Sequence, residues 1–453
     1  MSVEVTETGL NLIPAGYKQT EVGVIPEDWE IFSLGQSIAK TQLGGNYKNS
    51  EHDTGQPLIK MGNLDRGFVK LSKQEFIIGN ASESDLLNYG DVLFNTRNTL
   101  ELVGKVAIWK NELPKAYFNS NLMRISFKED LVSSNLFMNA LMNSERFIKA
   151  LSDIAIGTTS VAAIYNRDLF LIKVALPTKK EQTAIANALS DVDALISELE
   201  KLIAKKQAIK TATMQQLLTG RTRLPQFALR EDGTPKGTKP SELGEIPEDW
   251  EILGLGALFQ PSVSKKPIKP KSLVSFVGMQ DVTEQAQLST QHLLAIENVK
   301  SGFTYFERGD VLVAKITPCF ENGKGCHTET LSTDIGFGST EFHVLRATDN
   351  SDSRFIYYWS NRNVFRKSLE SEMVGSAGHR RVPLSAIAKY TIPVPPKEEQ
   401  TAIATILSDM DAEIQALEQR LGKTRQIKQG MMQELLTGKT RLVQPLNKES
   451  QHG

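Results

Sequence analysis

Residues 177–224 read PTKKEQTAIANALSDVDALISELEKLIAKKQAIKTATMQQLLTGRTRL. The chain repeats this stretch at residues 395–442, which read PPKEEQTAIATILSDMDAEIQALEQRLGKTRQIKQGMMQELLTGKTRL. Without any gap, 28 of the 48 aligned positions are identical. An internal repeat of this length takes precedence over every other sequence signal, because it predicts two equivalent structural blocks in one chain.

Each copy has the pattern of one long helix. A proline precedes the first turn, Glu and Gln fill that turn, and Gly220 and Gly438 mark the exits. Apolar residues recur at alternating steps of four and three, the spacing of a narrow coiled-coil seam. The predicted seam consists of Ile185, Leu189, Val192, Ile196, Leu199 and Ile203, matched by Ile403, Leu407, Met410, Ile414, Leu417 and Leu421. We expect the two sets to bury against each other.

The charges favour an antiparallel pair of helices. Residues 181–200 include five acidic side chains and no basic one, whereas residues 201–223 include six basic side chains and no acidic one. The second copy has the same polarity, less cleanly. Antiparallel packing places each acidic half beside a basic half. A charge gradient that only complements the helix dipole is the alternative explanation.

A shorter repeat lies upstream of each helix. The sequence IPEDWEI occurs at residues 25–31 and again at 246–252, and we expect Trp29 and Trp250 to anchor the first strand of each module. The regions that follow diverge, but both contain short β-branched and aromatic runs separated by Gly, Asn and Asp, which indicate strand-rich domains. The predicted fold class is therefore α+β: two α/β domains alternate with two long helices that pair as an antiparallel coiled coil, with pseudo-two-fold symmetry.

The repeats also predict the domain boundaries. They give an N-terminal extension (1–24), a first variable domain (25–176), a first helical spacer (177–220), a linker (221–245), a second variable domain (246–394), a second helical spacer (395–438) and a C-terminal tail (439–453). We expect residues 443–453 to be disordered. We also expect residues 16–176 to keep their fold in isolation.

Composition limits the class of protein. The 453 residues carry a net charge of −1, so a nucleic-acid surface would have to be a local patch. Two cysteines indicate a reducing compartment without a disulfide framework. The N-terminus lacks the basic start and apolar run of a signal peptide, and no apolar stretch is long enough to cross a bilayer. The sequence thus predicts a cytoplasmic protein that does not contact membranes.

No catalytic constellation is present in the sequence. Gly438-Lys439-Thr440 resembles the end of a phosphate-binding loop, but Gln433 stands where that motif requires glycine. Cys319 and the pair Cys326-His327 lack the spacing of a zinc site. There is no nucleophile elbow and no Asn/Asp-Pro-Pro-Tyr segment of the kind that amino-methyltransferases use. The sequence therefore predicts no catalytic, cofactor-binding or metal-binding residues, and a binding protein rather than an enzyme.

The variable domains do contain polar and basic loops. Arg, Asn and Gln can read base edges, while Lys, Ser and Thr can hold phosphates. The candidate DNA-binding residues are Asn95, Arg97, Asn98, Thr158, Thr159, Ser160, Asn166 and Arg167 in the first domain, and Lys265, Lys266, Lys315, Thr317, Ser376, His379, Arg380 and Arg381 in the second. Ordinary solvated loops have similar compositions, so residue types alone leave both interpretations open.

The repeated motifs make the pattern recognisable. Paired Ile-Pro-Glu-Asp-Trp-Glu segments, a Pro-x-x-x-Glu-Gln-x-x-Ile opening each long helix and Leu-Leu-Thr-Gly near its end resemble the specificity subunit of type I restriction–modification systems. The resemblance extends from about residue 16 to residue 442. It implies that the variable regions are target recognition domains, each reading half of a split double-stranded DNA site, and that the paired helices set the gap.

The resemblance also implies partners. Two methyltransferase (modification) subunits would dock on this chain, and restriction/translocase subunits would join them for cleavage. S-adenosylmethionine, ATP and Mg would then be held only by partner subunits, with no cofactor in this chain. The alternative is a non-catalytic adaptor whose paired helices bind partner proteins and whose variable domains bind peptide or RNA.

Overall fold

The computed structural model describes residues 13–158, 160–299, 301–376 and 378–443. The tail expected to be disordered lies outside these residues except for Val443, as do the first half of the N-terminal extension and Thr159. The chain divides into two compact units. Unit 1 combines the residues up to Glu200 with those from Gln419 onward, and unit 2 is the continuous segment Lys201–Glu418. Both boundaries fall inside the long helices, so each helix contributes one half to each unit.

Unit 1 contains the first fifteen strands. They are β1 (Tyr17–Thr20), β2 (Gly23–Pro26), β3 (Glu30–Ser33), β4 (Ile38–Leu43), β5 (Asn49–Ser50), β6 (Pro57–Ile59), β7 (Glu75–Ile77), β8 (Val92–Asn95), β9 (Arg97–Asn98), β10 (Val106–Ile108), β11 (Tyr117–Phe118), β12 (Leu122–Phe127), β13 (Ile156–Gly157), β14 (Ala162–Ala163) and β15 (Lys173–Leu176). The accompanying helices are α1 (Leu34–Ser37), α2 (Asn135–Met142), α3 (Glu145–Ile154) and α4 (Asn166–Leu169). The first long helix, α5 (Lys179–Leu218), begins in this unit.

Unit 2 contains the remaining strands. They are β16 (Thr238–Ser241), β17 (Gly244–Pro247), β18 (Glu251–Gly254), β19 (Leu273–Val277), β20 (His292–Ala295), β21 (Thr304–Glu307), β22 (Val311–Ala314), β23 (Gly325–His327), β24 (Ile335–Gly338), β25 (Phe342–Leu345) and β26 (Thr391–Val394). Its helices are α6 (Pro225–Ala228), α7 (Ser353–Ser360), α8 (Asn363–Leu369) and α9 (Leu384–Lys389). The second long helix, α10 (Lys397–Leu435), begins here and ends in unit 1.

The two units share a strand plan. In unit 1 the central sheets have the orders β10-β8-β12-β4 and β11-β6-β7-β5, and in unit 2 the orders are β23-β22-β25 and β20-β19-β24-β21. The parallel pair β6–β11 corresponds to β19–β24, and the antiparallel neighbour β7 corresponds to β20. The fourth strand of this sheet differs, because β5 extends the β7 edge while β21 extends the β24 edge. The predicted α+β class is confirmed in both units.

The sequence Gly-Asp-Val-Leu occurs at residues 90–93 and 309–312, and in both units it forms a turn before a buried strand. Gly90 and Gly309 have φ angles of 90° and 93°, a backbone conformation that favours glycine. The aspartate after each glycine accepts a backbone N–H three residues upstream, at 3.0 Å in unit 1 and 2.7 Å in unit 2. The strands β8 and β22 that follow are buried along their whole length.

The long helices run antiparallel, as the charges predict. Within unit 1, Glu200 of α5 pairs with Arg425 of α10, and Asp193 pairs with Lys428, both at 2.6 Å. Within unit 2, Lys206 of α5 lies 2.6 Å from Glu413 of α10. Residues later in α5 thus pair with residues earlier in α10 in both units, which is the antiparallel order.

The seam residues are buried or half-buried, and those at the start of each helix pack against partners other than the expected ones. In unit 1, Ile185 and Leu189 pack in one core cluster with Leu435 and Leu436 at the end of α10. In unit 2, Ile403 and Leu407 share a cluster with residues 217–218 at the end of α5. An antiparallel pair brings the start of one helix to the end of the other, so the seam residues at the start of each helix lie beside the end of the other helix.

The helices also complete the cores of the variable domains. The cluster that holds Ile185 and Leu435 includes Phe94 of β8 and Phe137 of α2. Residues 16–176 therefore do not contain the complete core, which argues against the expectation that this segment keeps its fold alone. A buried leucine or isoleucine contributes roughly 1.5–3 kcal/mol by leaving water, so the missing side chains matter.

The repeated motifs meet in a partly buried ion cluster in each unit, which we call the clasp. In unit 1 the clasp consists of Trp29, Asp28, Glu181 and Arg441. The Arg441 guanidinium donates to both carboxylates, at 2.6–2.8 Å for Glu181 and 2.7–2.9 Å for Asp28. The indole N–H of Trp29 donates to Glu181 at 3.1 Å. The hydrogen bond between Arg441 and Glu181 raises the pKa of Arg441.

Unit 2 builds the same clasp from the other copies of the motifs. Arg223 donates to Glu399 at 2.6 and 3.0 Å and to Asp249 at 2.7 and 3.2 Å. The indole N–H of Trp250 donates to Glu399 at 3.0 Å. Each clasp arginine therefore belongs to the unit in which its helix ends. Arg223 follows α5 and lies in unit 2, and Arg441 follows α10 and lies in unit 1.

The glycine before each clasp arginine allows close packing. Gly220 and Gly438 have φ angles of 70° and 72°, and a Cβ at either position would collide with a proline, Pro247 or Pro26, next to the buried tryptophan. The end of each long helix is thus packed against the proline and tryptophan of the Ile-Pro-Glu-Asp-Trp motif. Residues 221–245, predicted as a linker, are ordered here and include α6 and the β16–β17 hairpin.

Candidate nucleic-acid interface

Two of the polar segments singled out in the first variable domain come together in the structure. Strand β14 pairs with β9, placing Ala163 opposite Arg97 and Ala162 opposite Asn98, and β13 pairs with β14 to form a hairpin. The backbone N–H of Ile164 donates to the carbonyl of Thr96 at 3.1 Å. We call β13, β14 and the turn between them the unit 1 hairpin.

The tip of this hairpin is exposed and depends on glycine. Gly157 has a φ angle of 149°, and a Cβ there would overlap the carbonyl of Val161. The Thr158 N–H donates to that carbonyl at 2.8 Å, and its hydroxyl lies 3.3 Å from the Ser160 hydroxyl. Thr158 and Ser160 are exposed, as the prediction requires, and the prediction for Thr159 falls outside the described residues.

Four other predicted residues of unit 1 have different environments. Arg97 is exposed, and among the described residues no acidic group lies within ion-pair distance of it. Asn98 is half-buried and accepts the Thr99 N–H at 2.9 Å. Asn166 and Arg167 are exposed on α4, where Arg167 lies 3.2 Å from Asp168.

Asn95 does not fit the prediction. Its side chain is 0% exposed, and its carbonyl oxygen accepts the backbone N–H of Arg97 at 3.2 Å. It shapes the turn between β8 and β9 from inside the domain. The assignment of Asn95 as a DNA-contacting residue is therefore corrected, because a fully buried amide cannot reach a base edge.

Unit 2 has a matching hairpin, whose described residues are 374–376 and 378–381. Arg381 forms isolated bridges with Ile316 and with Val374, and the Thr317 N–H donates to the carbonyl of Arg380 at 2.9 Å. The backbone of Val382 donates to Lys315 as Ile164 does to Thr96 in unit 1. The structure thus joins the predicted segments Lys315–Thr317 and Ser376–Arg381 into one surface, which we call the unit 2 hairpin site.

The arginines of this site have carboxylate partners. Arg381 donates to Glu341 through Nε at 3.0 Å and through Nη2 at 2.8 Å. Arg380 lies 3.6 Å from Glu321, which also accepts the Thr317 hydroxyl at 2.8 Å. The hydrogen bond from Arg381 lowers the pKa of Glu341. His379 is exposed, and Ser376 accepts the His379 N–H through its carbonyl at 3.0 Å.

Lys265 and Lys266 belong to a different part of unit 2. The Lys266 ammonium pairs with Glu307, and its backbone N–H donates to the Tyr305 hydroxyl at 3.1 Å. No hydrogen bond or ion pair joins Lys265 or Lys266 to the hairpin site among the residues that the structure describes. The structure does not bring these two lysines together with Arg380 and Arg381.

Sequence reasoning missed Glu341, Glu321 and the unit 1 residue that matches Glu341. In unit 1 the Thr96 N–H donates to the carbonyl of Asn121 at 3.0 Å, just as Lys315 donates to Glu341 at 2.9 Å. Asn121 and Glu341 therefore occupy equivalent positions at the start of β12 and β25. The sequence gives no signal for the pairing of Glu341 with Arg381, because forty residues separate them.

Within the described ranges, no group of three or more His, Cys, Asp or Glu side chains could hold a metal ion. Burial raises the pKa of the Cys326 thiol to about 12. In that same part of the chain, no helix is long and apolar enough to cross a membrane.

Comparison with known proteins assigns the class. The family described as type I restriction modification DNA specificity domain matches residues 26–211 and 247–429, one match for each repeat. The chain belongs to this family, the specificity subunits of type I restriction–modification systems.

Individual relatives agree with this assignment. A Methanocaldococcus jannaschii protein, provisionally assigned as the MjaX specificity subunit of a type I restriction enzyme, is 25% identical over 434 residues, covering 94% of this chain and 97% of the relative. The EcoAI specificity subunit of Escherichia coli is 31% identical over 242 residues, covering 53% of this chain and 39% of the relative. The crystal structure of the S subunit of the M. genitalium type I system shares the fold, with a TM-score of 0.57 at 14% identity, covering 90% of this chain and 96% of that chain.

Proposed function

We propose that this chain is the DNA-reading subunit of a type I restriction–modification complex. Each variable domain reads one half of a bipartite double-stranded site. The observation that carries this proposal is the pair of equivalent hairpins, which share one backbone plan but present different side chains. Equivalent frames with different polar groups suit the recognition of two different base sequences, because base identity is read by side-chain hydrogen bonds.

The paired helices set the distance between the two readers in this proposal. Helix α5 is continuous over 40 residues, which at 1.5 Å per residue gives a length of roughly 60 Å. Half-sites about one turn of DNA apart, roughly 34 Å, can be reached from one face of the duplex. A continuous helix transmits any change of its length, so inserted residues should change the gap that is read.

The same helices are the proposed docking surface for two methyltransferase subunits. Leu202 and Ile209 of α5 and Ile427 of α10 are exposed apolar side chains outside the seam of these helices. Apolar side chains on a helix surface favour contact with partner helices. We further propose that methylation, ATP-driven steps and their cofactors, S-adenosylmethionine and Mg, reside in partner subunits, which include restriction/translocase subunits.

Exchange of one variable domain tests the reading model. The complex with its methyltransferase subunits would be expressed in cells, and methylated sites would be found by sequencing. Replacing residues 31–176 with the matching region of a relative should change one half of the methylated sequence and leave the other half intact. A change in both halves would contradict the modular assignment.

The non-catalytic role has a separate test. The purified chain alone should bind no S-adenosylmethionine in equilibrium dialysis and should transfer no methyl group to DNA. Methyl transfer by the isolated chain would overturn this part of the proposal. Binding of peptide or RNA in preference to duplex DNA would overturn the DNA-reading role itself.

A further inference from the structure

Each hairpin site contains one arginine in an equivalent pair of facing residues. The arginine lies on one strand of the pair in unit 1 and on the other strand in unit 2. In unit 1 the pair is Arg97 on β9 and Ala163 on β14. In unit 2 the matching pair is Ile316 and Arg381. Residues directly opposite in an antiparallel pair lie on the same face of the sheet. Both units therefore present one arginine from the same site, although the sequence positions do not align.

The surroundings of the two arginines differ in charge. Arg381 is paired with Glu341, whereas the position equivalent to Glu341 in unit 1 is the neutral Asn121. Arg97 has no acidic group within ion-pair distance among the described residues. One arginine is therefore held in place before any ligand arrives, while the other is not held by a carboxylate.

The hydrogen bonds of Arg381 leave part of its guanidinium available. Of the five N–H donors of arginine, Nε and one on Nη2 bond to Glu341, and one on Nη1 donates to the carbonyl of His379 at 3.2 Å. One donor remains on Nη1 and one on Nη2. Arg381 thus keeps two donors for a base edge, and guanine offers O6 and N7 as acceptors. The Arg381 side chain is 44% exposed and the Glu341 side chain 24% exposed, so the pair lies at the surface.

We propose that Glu341 is a positioning residue for DNA reading by unit 2, which orients Arg381 for a base edge in the DNA site and disfavours incorrect sequences. This inference rests on the proposed function. A fixed arginine pays less entropy on binding and tolerates only one geometry. The carboxylate also repels phosphates, so an arginine that finds no matching base gains little from the DNA backbone.

The proposal predicts an effect on discrimination rather than on affinity alone. In Glu341→Gln, Arg381 loses its charged partner and becomes free to contact phosphates. Affinity for DNA with the unit 2 half-site scrambled should rise and depend more steeply on salt, because one more cation neutralises phosphate. The ratio of affinities for the full site over the scrambled site should fall about tenfold, within the range expected for one bidentate base contact.

A purely structural brace between Glu341 and Arg381 predicts something else. It would lower stability and weaken binding to both duplexes equally, leaving the ratio unchanged. The control variant is Asp334→Asn, which removes the same charge from the Arg308–Asp334 pair of the same unit. That pair spans 3.2 Å, and Asp334 is 92% exposed. We expect the control to leave the ratio unchanged.

The experiment uses the full chain in complex with methyltransferase subunits. The recognised sequence comes from methylation sequencing, and the unit 2 half from exchange of residues 246–394. Fluorescence anisotropy then compares the wild type with Glu341→Gln, Arg381→Lys and the double variant on full and scrambled duplexes. Arg381→Lys keeps the charge but loses the fork, so it should also lower the ratio, and the double variant should lower it no further.

The outcomes separate the two proposals. A wild-type complex that does not discriminate between the duplexes overturns the proposed function and the inference with it. Discrimination in the wild type that persists in Glu341→Gln and Arg381→Lys overturns the inference alone. Loss of discrimination in Glu341→Gln that the Asp334→Asn control reproduces overturns it as well, since net charge would then explain the effect.

Discussion

Units 1 and 2 agree in their clasps and differ in their variable domains. The clasp arginines contact their glutamates and aspartates at 2.6–2.9 Å in unit 1 and 2.6–3.2 Å in unit 2. The variable domains differ in three features. The fourth strand of one sheet extends the β7 edge in unit 1 and the β24 edge in unit 2, the hairpin arginine lies on opposite strands of the matching pair, and only the arginine of unit 2 has a carboxylate beside it. Buried charges tolerate little variation in their partners, whereas an exposed sheet edge tolerates a new strand or a new charge.

The largest expected effect is on the clasp of unit 1. Arg441→Ala should destabilise unit 1 by about 3–5 kcal/mol, because it leaves the Glu181 carboxylate, 1% exposed, without its cationic partner. Hydrogen exchange should show lost protection in residues 13–176 and little change in residues 246–394. Arg223→Ala should give the reverse pattern.

The control for this prediction is Arg425→Ala. Arg425 pairs with Glu200 on the helix surface, where both side chains are about half exposed, and such pairs contribute about 0.2–1 kcal/mol. Equal loss of protection in both units of Arg441→Ala would show that the clasp does not belong to unit 1.

A slightly smaller effect is expected in the apolar contacts of the helices. Leu189→Ala and Leu407→Ala remove equivalent side chains from the cores of units 1 and 2, and each should cost about 3 kcal/mol, within the usual range for buried leucine. Proteolysis under native conditions should open unit 1 in the first variant and unit 2 in the second. Exposed Leu202→Ala is the control and should leave both cleavage patterns as in the wild type.

The next prediction concerns Arg97 in the variable domain of unit 1. Arg97→Ala should weaken binding to the full DNA site by about 1–3 kcal/mol and relax the sequence preference of one half-site only. Anisotropy titrations with each half scrambled in turn would measure this. A uniform loss on every duplex would assign Arg97 to phosphate contact instead.

The smallest expected effect concerns acid stability. Burial favours a raised pKa for Asp249, but hydrogen bonds from Lys236 and Arg223 outweigh burial and lower it. A carboxyl whose folded pKa lies below its unfolded value near 3.9 stabilises the fold above that value, and the contribution disappears as pH falls through the folded pKa. Asp249→Asn should therefore cost about 1 kcal/mol at pH 7 and progressively less below about pH 4.

Thermal unfolding of wild type and variant between pH 3 and 7 would check this. Lys236→Ala is the companion variant, since unit 1 has Ala15 at the position that matches Lys236 in unit 2. If the difference in unfolding free energy between wild type and Asp249→Asn stayed constant down to pH 3, the lowered pKa of Asp249 would be contradicted.

Much of the scaffold follows from the sequence, because repeated local patterns encode it. The predicted spacers 177–220 and 395–438 became helices Lys179–Leu218 and Lys397–Leu435, and the charge pattern predicted their antiparallel order. Trp29 and Trp250 are fully buried, as expected of anchors. Periodicity identifies the face of a helix that will be buried, but it does not identify the element that covers that face.

The long-range partners could not be predicted. Arg441 and Glu181 are 260 residues apart, and nothing local in GKTRL distinguishes a clasp from an ordinary basic helix end. In the variable domains, residue types pointed to Arg97 and to Arg380–Arg381. The strand pairs that place these arginines in the two hairpin sites were visible only in the structure. Asn95 was misassigned because a polar residue after a strand can be buried by the turn that it forms.

The clasp has a consequence for the order in which the chain folds during synthesis. Unit 2 is one continuous segment, and its last residues emerge from the ribosome before Gln419. Unit 1 needs Leu435, Leu436 and Arg441, which are among the last described residues to be made. We therefore expect the domain encoded second to mature first, while the domain encoded first waits for the end of translation. Protease challenge of a released chain that ends at residue 430 should find unit 2 already resistant and unit 1 still open to cleavage.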